Sequence, residues 1–173
     1  MENLSQLQAA KFYLLSTLGI SNFGYSTEEQ IFEVDGQELS NVVAEIRGTS
    51  KADEIVLVVA RYDSPTGATD DPSGIAALLS LADAFAKKPQ LRTIRFIAFP
   101  RQPVGRNEYA KKLAADGDNV VGILALQPNE NETESWEQQV HLLPGREALL
   151  LSVESAKDLV LKLANVQAEI SKK

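Results

Sequence analysis

Three short, nearly uninterrupted apolar runs lie in the middle of the chain, at Ile55–Ala60, Ile94–Phe99 and Val120–Leu126. Continuous runs of this length are typical of strands that are covered on both faces, as in parallel sheets. Two helical patterns separate them, one from Ser73 to Phe85 and a shorter one from Glu108 to Ala115. The alternation predicts a β–α–β–α–β unit with right-handed crossovers.

The pattern before this unit is weaker. Apolar residues at helical spacing predict a first helix that begins near Leu4 and ends at Gly19. Residues 20–29 are polar and are predicted to form a loop. Gln30–Val34 is then a short strand candidate, and Asn41–Arg47 alternates apolar and polar positions as a half-buried strand does.

After the third apolar run, the chain turns acidic and polar over residues 127–137. Gln138–Leu143 is a further strand candidate, and residues 153–171 carry the apolar stripe of a helix. The elements together predict an α/β fold, a three-layer α/β/α sandwich with a mixed, mainly parallel sheet. We expect residues 1–173 to form a single domain.

Composition excludes several classes of function. Seventeen Lys and Arg against 24 Asp and Glu give a net charge of −7, which argues against a nucleic-acid-binding surface. The chain has no cysteine and one histidine, His141, so thiol chemistry and sites that need two imidazoles are excluded. No apolar run is long enough to span a membrane, and no secretory signal is visible. We therefore expect a cytoplasmic protein without membrane or nucleic-acid partners.

The candidate chemistry lies in the loop that follows Ile55–Ala60. In open α/β sheets, ligands bind beyond the carboxyl ends of the parallel strands. The loop contains the carboxylates Asp63, Asp70 and Asp71, and carboxylates at a strand end are natural ligands for divalent cations. By spacing alone, ordinary turn and capping roles for these residues remain the simpler interpretation.

The residues around this loop carry a resemblance. Asn41–Gly48 reads NVVAEIRG, Arg61–Ser64 reads RYDS, and Gly67–Gly74 reads GATDDPSG. This frame resembles the co-catalytic zinc aminopeptidase family, whose pattern runs roughly NVIAEIPG, H-x-D-S, G-A-x-D-x-x-S-G and then F-x-x-E-E-x-G. The family includes bacterial leucyl aminopeptidases, glutamate carboxypeptidase II-like enzymes and glutaminyl cyclases. The resemblance covers roughly residues 1–127 and implies a zinc-exopeptidase-like fold, with the carboxyl-terminal part shortened.

The departures from the family pattern determine the predicted function. The resemblance implies five metal ligands, of which the bridging aspartate is kept as Asp70. The first histidine is replaced by Arg61, a cation that has no lone pair for zinc. The glutamate pair falls on the segment around Gln102, the next aspartate becomes Gln127, and His141 comes too early to be the last ligand. A two-zinc site with its base is therefore not expected.

Arg61 is predicted to replace part of the lost metal charge by pairing with Asp63 or Asp70. We therefore expect a non-catalytic aminopeptidase-like domain that binds a peptide or protein or has a regulatory role, with no catalytic residue, metal or other cofactor. Whether it is an enzyme stays open. The alternatives are a residual metal-dependent hydrolase that uses Asp63, Asp70 and Asp71, and a structural subunit of a larger assembly. The predicted vestigial cleft consists of Arg61, Asp63, Asp70, Asp71, Gln102 and Gln127.

The expected partner is a second copy of the chain or another protein or peptide. A shortened carboxyl-terminal part would leave an apolar face or an edge strand uncovered, and such surfaces tend to find partners. We therefore expect a homodimer.

Overall fold

The computed structural model describes residues 4–63, 73–100, 103–126, 148–150 and 164. The predicted loop at 127–137 and the predicted strand at Gln138–Leu143 lie outside these residues. The predicted helix at 153–171 also lies outside them, except for Ala164, which is helical and buried.

The described elements follow one another as helices and strands that we number in chain order. They are α1 (Leu4–Leu18), β1 (Ser26–Val34), β2 (Gln37–Ile46), β3 (Lys51–Arg61), α2 (Ser73–Phe85), β4 (Arg92–Phe99), α3 (Val104–Asp116), β5 (Asn119–Ala125) and β6 (Ala148–Leu150).

The six strands form one sheet in the order β1-β2-β4-β3-β5-β6. The strands β4, β3, β5 and β6 are parallel neighbours, whereas β1 pairs with β2 and β2 with β4 in antiparallel fashion. The mixed, mainly parallel sheet predicted from the apolar runs is therefore confirmed. The doubly covered strands β3 and β4 lie at its centre, which explains their nearly continuous apolar sequences.

Helices cover both faces of the sheet. One hydrophobic cluster joins α1 and α2 to one face, through residues such as Leu14 and Leu78. A second cluster joins α3 to the other face, through Tyr109 and Leu113. Alternate residues of β2 enter the two clusters, Val42 the first and Val43 the second, as the two-residue period of a strand requires. The predicted three layers are thus confirmed.

The prediction of a loop over residues 20–29 was wrong at its end, because β1 already begins at Ser26. Its first residues are polar, yet they pair in register with β2, so that Glu28 lies opposite Val43 and Glu29 opposite Val42. An outer strand is only half buried, and polar side chains there face solvent without opposing the strand. Local polarity therefore hid the first half of this strand.

The helix α3 is longer than predicted and begins at Val104 instead of Glu108. Its first turn buries Gly105 and Arg106, two residue types that do not give a helical apolar stripe. The left-handed conformation of Gly117 ends the helix, where its N–H bonds the carbonyl of Leu113. The short strand β6 was not predicted at all.

Candidate functional site: the carboxyl ends of the central strands

The carboxyl ends of β3, β4 and β5 lie side by side. The register places Arg61 beside Phe99, and Val59 beside Ala125. Backbone hydrogen bonds continue the alignment past the strands, from the Tyr62 N–H to the Phe99 carbonyl at 3.0 Å and from the Leu126 N–H to the Val59 carbonyl at 2.8 Å. This is the edge at which open α/β sheets bind ligands.

Arg61, the last residue of β3, forms an ion pair with Asp63. The guanidinium Nε donates to the Asp63 Oδ1 at 3.2 Å, and the side chains are 28% and 2% exposed. This is one of the two pairings predicted from the sequence. A nearly fully buried carboxylate is costly without a counter-charge, and Arg61 supplies one.

Tyr62 connects the strand-end site to residues of β2, β1 and α1. Its hydroxyl donates to the Ser40 carbonyl at 2.7 Å, and the Ser40 hydroxyl donates to Glu29 at 3.2 Å. Lys11 of α1 in turn pairs with Glu29 at 2.7 Å. Burial raises the pKa of Tyr62 well above its ordinary value, and the charges of Asp63 and Glu29 raise it further. Sequence reasoning missed this role, because nothing in a single tyrosine after a strand indicates a distant carbonyl partner.

A buried amide anchors the start of α3 beside the same edge. Asn41 is fully buried, and its Nδ2 donates at 2.8 Å both to the Gln30 Oε1 and to the Gly105 carbonyl. Gln30 donates to the Glu108 carbonyl at 2.9 Å. A Cβ on Gly105 would lie 2.6 Å from the Pro100 carbonyl oxygen, so the helix start approaches the end of β4 too closely for any larger residue. The motif residue Asn41 therefore positions a helix that borders the strand-end cleft.

Of the predicted cleft residues, the structure brings Arg61 and Asp63 together. Asp70, Asp71, Gln102 and Gln127 lie outside the described residues. The rest of the predicted cleft therefore stays a prediction.

The described part of the site does not fit a zinc ion. At the position where the resemblance implies the first histidine ligand, the side chain is a guanidinium that already donates to Asp63. A guanidinium offers no lone pair to a metal. Across the described ranges, no group of three or more His, Cys, Asp or Glu side chains is arranged to hold a metal ion.

Comparison with known proteins finds a family match over this edge of the sheet. Residues 41–101 match peptidase family M28. The matched segment begins inside β2 and contains β3, α2 and β4, and therefore also Arg61 and Asp63. The resemblance to zinc aminopeptidases is thus confirmed over the part of the chain that forms the strand-end site.

A curated relative extends the same observation. The vacuolar membrane protease of Lachancea thermotolerans is 43% identical over 74 residues, which represent 41% of this chain and 7% of that protein. The chain therefore spans a small fraction of this relative's length. None of the helices in the described ranges is both long and apolar enough to cross a membrane.

Solved structures share the fold. A leucine aminopeptidase precursor from Bacteroides thetaiotaomicron aligns with a TM-score of 0.58 at 19% identity, over 76% of this chain and 58% of that one. A Zn-dependent exopeptidase from Parabacteroides distasonis gives 0.57 at 21% identity, over 72% and 54%. The chain spans little more than half of either structure, and at these identities the likeness establishes the fold alone.

Proposed function

We propose that the chain is a single, non-catalytic M28-like domain whose metal site has been dismantled and whose role is to bind a peptide or protein partner. One observation carries the proposal. Arg61 stands where the resemblance implies the first metal-ligating histidine, and its guanidinium is held by the buried carboxylate of Asp63.

The charge at this position explains why zinc would not bind. A metal ion beside Arg61 would meet a fixed positive charge instead of an imidazole lone pair, and the Asp63 carboxylate is already bonded to that charge. Gln102, Pro103 and Gln127, which fall where the resemblance implies anionic ligands, supply no carboxylate. A fold alone does not transmit the activity of its relatives.

The test measures metal and turnover directly. Purified protein is incubated with zinc, desalted and analysed by elemental mass spectrometry, and hydrolysis of aminoacyl p-nitroanilides is followed with zinc present. We expect well under one equivalent of zinc and no turnover above buffer. Stoichiometric zinc with turnover would support instead a residual hydrolase that uses Asp63, Asp70 and Asp71.

The variant Arg61→His restores the implied first ligand and makes the test sharper. We expect it to gain neither stoichiometric zinc nor activity, since the other implied ligands are still missing. Arg47→His is the matched control, because Arg47 lies just beyond the end of β2 and away from the cleft. Zinc gained by Arg61→His and not by the control would show that the site is largely intact.

The partner proposed from the sequence is a second copy of the chain or another protein. Light scattering distinguishes the two, since a homodimer has twice the mass of the chain. A stable monomer would exclude the homodimer and leave another protein or a peptide as the proposed partner. A large defined assembly would favour the structural-subunit alternative. The proposed location is the cytoplasm, to be checked by cell fractionation.

A further inference from the structure

Among the described residues, no strand pairs with the outer edge of β1. This strand is the outermost of the sheet, and its one partner among the described residues is β2. In an antiparallel pair every second residue points its N–H and C=O away from the partner. The nine residues of β1 therefore present a row of backbone donors and acceptors along which another extended segment could pair.

The charges along this edge are unevenly neutralised. Toward the beginning of the strand, Glu29 pairs with Lys11 at 2.7 Å and Glu28 lies 3.6 Å from Lys112. At the other end, Glu33 lies directly opposite Glu38 of β2, and both side chains are exposed. In the described ranges, neither of these two has a salt-bridge partner. Like charges directly opposite each other destabilise a sheet, so this pair costs the isolated domain stability.

An exposed apolar residue lies next to the glutamate pair. Ile31 is 60% exposed, and it lies two residues before Glu33, so both project from the same face of β1. Single charged residues on an edge strand are a common protection against aggregation. A repulsive cross-strand glutamate pair beside an exposed isoleucine is more than such protection. It gives an approaching segment both a negative potential and an apolar contact at one place.

We propose that the outer edge of β1 binds an extended basic segment of another protein by strand addition. The guest places an apolar side chain beside Ile31 and a Lys or Arg beside Glu33, on the same face and two positions apart. Backbone hydrogen bonds supply affinity, and these two contacts supply selectivity. The guest cation relieves the repulsion between Glu33 and Glu38, so binding returns the stability that the free domain lacks.

A second copy of β1 fits this edge poorly. Self-pairing would supply no cation to Glu33, because β1 contains no Lys or Arg, and the net charge of −7 makes the approach of a second copy less favourable. A basic segment meets the same edge with opposite charge. The negative charge of the outer edge of β1 thus disfavours pairing with a second copy of β1 and favours pairing with a basic segment.

The test uses a fluorescent ten-residue peptide with threonine at every second position and valine and lysine alternating at the positions between, so that one face of the extended peptide carries both. A matching peptide with glutamate in place of lysine serves for comparison, and both are used in anisotropy titrations of the full chain. We expect saturable binding of the lysine peptide alone, weakened by salt. Two further lysine peptides carry N-methyl groups on alternate residues, in opposite phases. Strand addition predicts that one phase abolishes binding and the other preserves it. Equal binding of both phases would overturn the proposal.

The variant Glu33→Lys separates recognition from folding. It should weaken binding of the lysine peptide at least tenfold while it raises the melting temperature by about 1–3 °C, because an opposite-charge pair replaces a repulsive one. A residue with only a structural role would not move the two readouts in opposite directions. Asp53→Lys makes the same change in net charge at an exposed site on β3 and should leave binding nearly unchanged.

Other outcomes contradict the proposal. Equal loss of binding in both lysine variants would indicate unspecific attraction, and loss in Arg61→Ala would place the peptide in the strand-end cleft. A dimer that dissociates in Glu33→Lys would show that a second copy occupies the edge. The inference rests on the proposed binding role, but the titration needs no zinc. Hydrolysis by the wild-type chain would therefore refute the proposed function and leave strand addition standing.

Discussion

Two arginines of the central strands meet carboxylates in different ways. Arg95, in the middle of β4, donates to Glu45 at 2.6 Å, to both oxygens of Asp118 and to the hydroxyl of Tyr109 at 3.3 Å. Arg61, at the carboxyl end of β3, is held by Asp63. Arg95 thus connects β2, β4 and the segment between α3 and β5, whereas Arg61 lies at the carboxyl edge of the parallel strands, where open α/β sheets bind ligands.

Burial and the number of hydrogen-bond partners distinguish Arg95 from Arg61. Arg95 lies under α3 with 17% of its side chain exposed, and burial alone would lower its pKa. The hydrogen bonds to Asp118 and Glu45 more than compensate and raise the pKa above its ordinary value. A cation with this many partners is part of the scaffold. The strand-end cation is less enclosed, with 28% of its side chain exposed.

The largest expected effect is at Arg95. Its replacement by alanine leaves Glu45 and Asp118 without their shared cation, which should lower the free energy of unfolding by about 3–5 kcal/mol. Urea denaturation measures the change. Lys112→Ala is the control, since Lys112 pairs with Asp116 on the surface of α3, and should cost no more than about 1 kcal/mol. Equal effects would mean that the buried network has no special role.

The second effect is at the strand end. Arg61→Ala removes the guanidinium that compensates the buried Asp63 carboxylate and should cost about 1–3 kcal/mol, less than Arg95→Ala. The double variant Arg61→Ala/Asp63→Asn removes that charge and should recover most of the loss. If the melting temperature of Arg61→Ala matches that of the wild type, Arg61 is a surface residue and the comparison fails.

A smaller effect is expected from Tyr62→Phe. The substitution removes one hydrogen bond to the Ser40 carbonyl and should cost about 0.5–1.5 kcal/mol in thermal or urea denaturation. Tyr109→Phe removes a contact to Arg95 while that arginine keeps its carboxylates, so its cost should be similar or lower. A much larger loss from Tyr109→Phe would show that the hydroxyl organises the Arg95 network.

The smallest effect is the dependence on alkaline pH. Burial raises the pKa of Tyr25 and of Tyr62 above their ordinary value of 10.0. The unfolded chain therefore releases these protons first, and stability falls as pH rises through 10. Between pH 9 and 10 we expect a loss of about 0.4 kcal/mol for each such tyrosine, measured by urea denaturation. In Tyr62→Phe this loss should shrink by one tyrosine's share, and an unchanged slope would contradict the assignment.

Much of the fold was predictable because its central strands are covered on both faces. Their side chains had to be apolar, so Ile55–Ala60 and Ile94–Phe99 identified strands without any tertiary information. The first half of the outer strand β1 was not predicted, because an edge strand is only half buried and tolerates polar residues. For the site, the motif frame located Arg61 and Asp63, and spacing within a single loop made their pairing a reasonable prediction.

Contacts between distant parts of the chain could not be predicted from the sequence. Tyr62 bonds a carbonyl 22 residues away, Asn41 reaches Gly105, and Arg95 gathers carboxylates from β2 and from the residue before β5. Such partners depend on strand order and register, which local patterns do not encode. The amino-acid sequence by itself determined the apolar strands, the layered fold and the arginine at position 61, where the family resemblance implies a histidine. Only the tertiary structure decided which polar groups meet, because burial makes a charge or an amide depend on whichever partner the packing brings within reach.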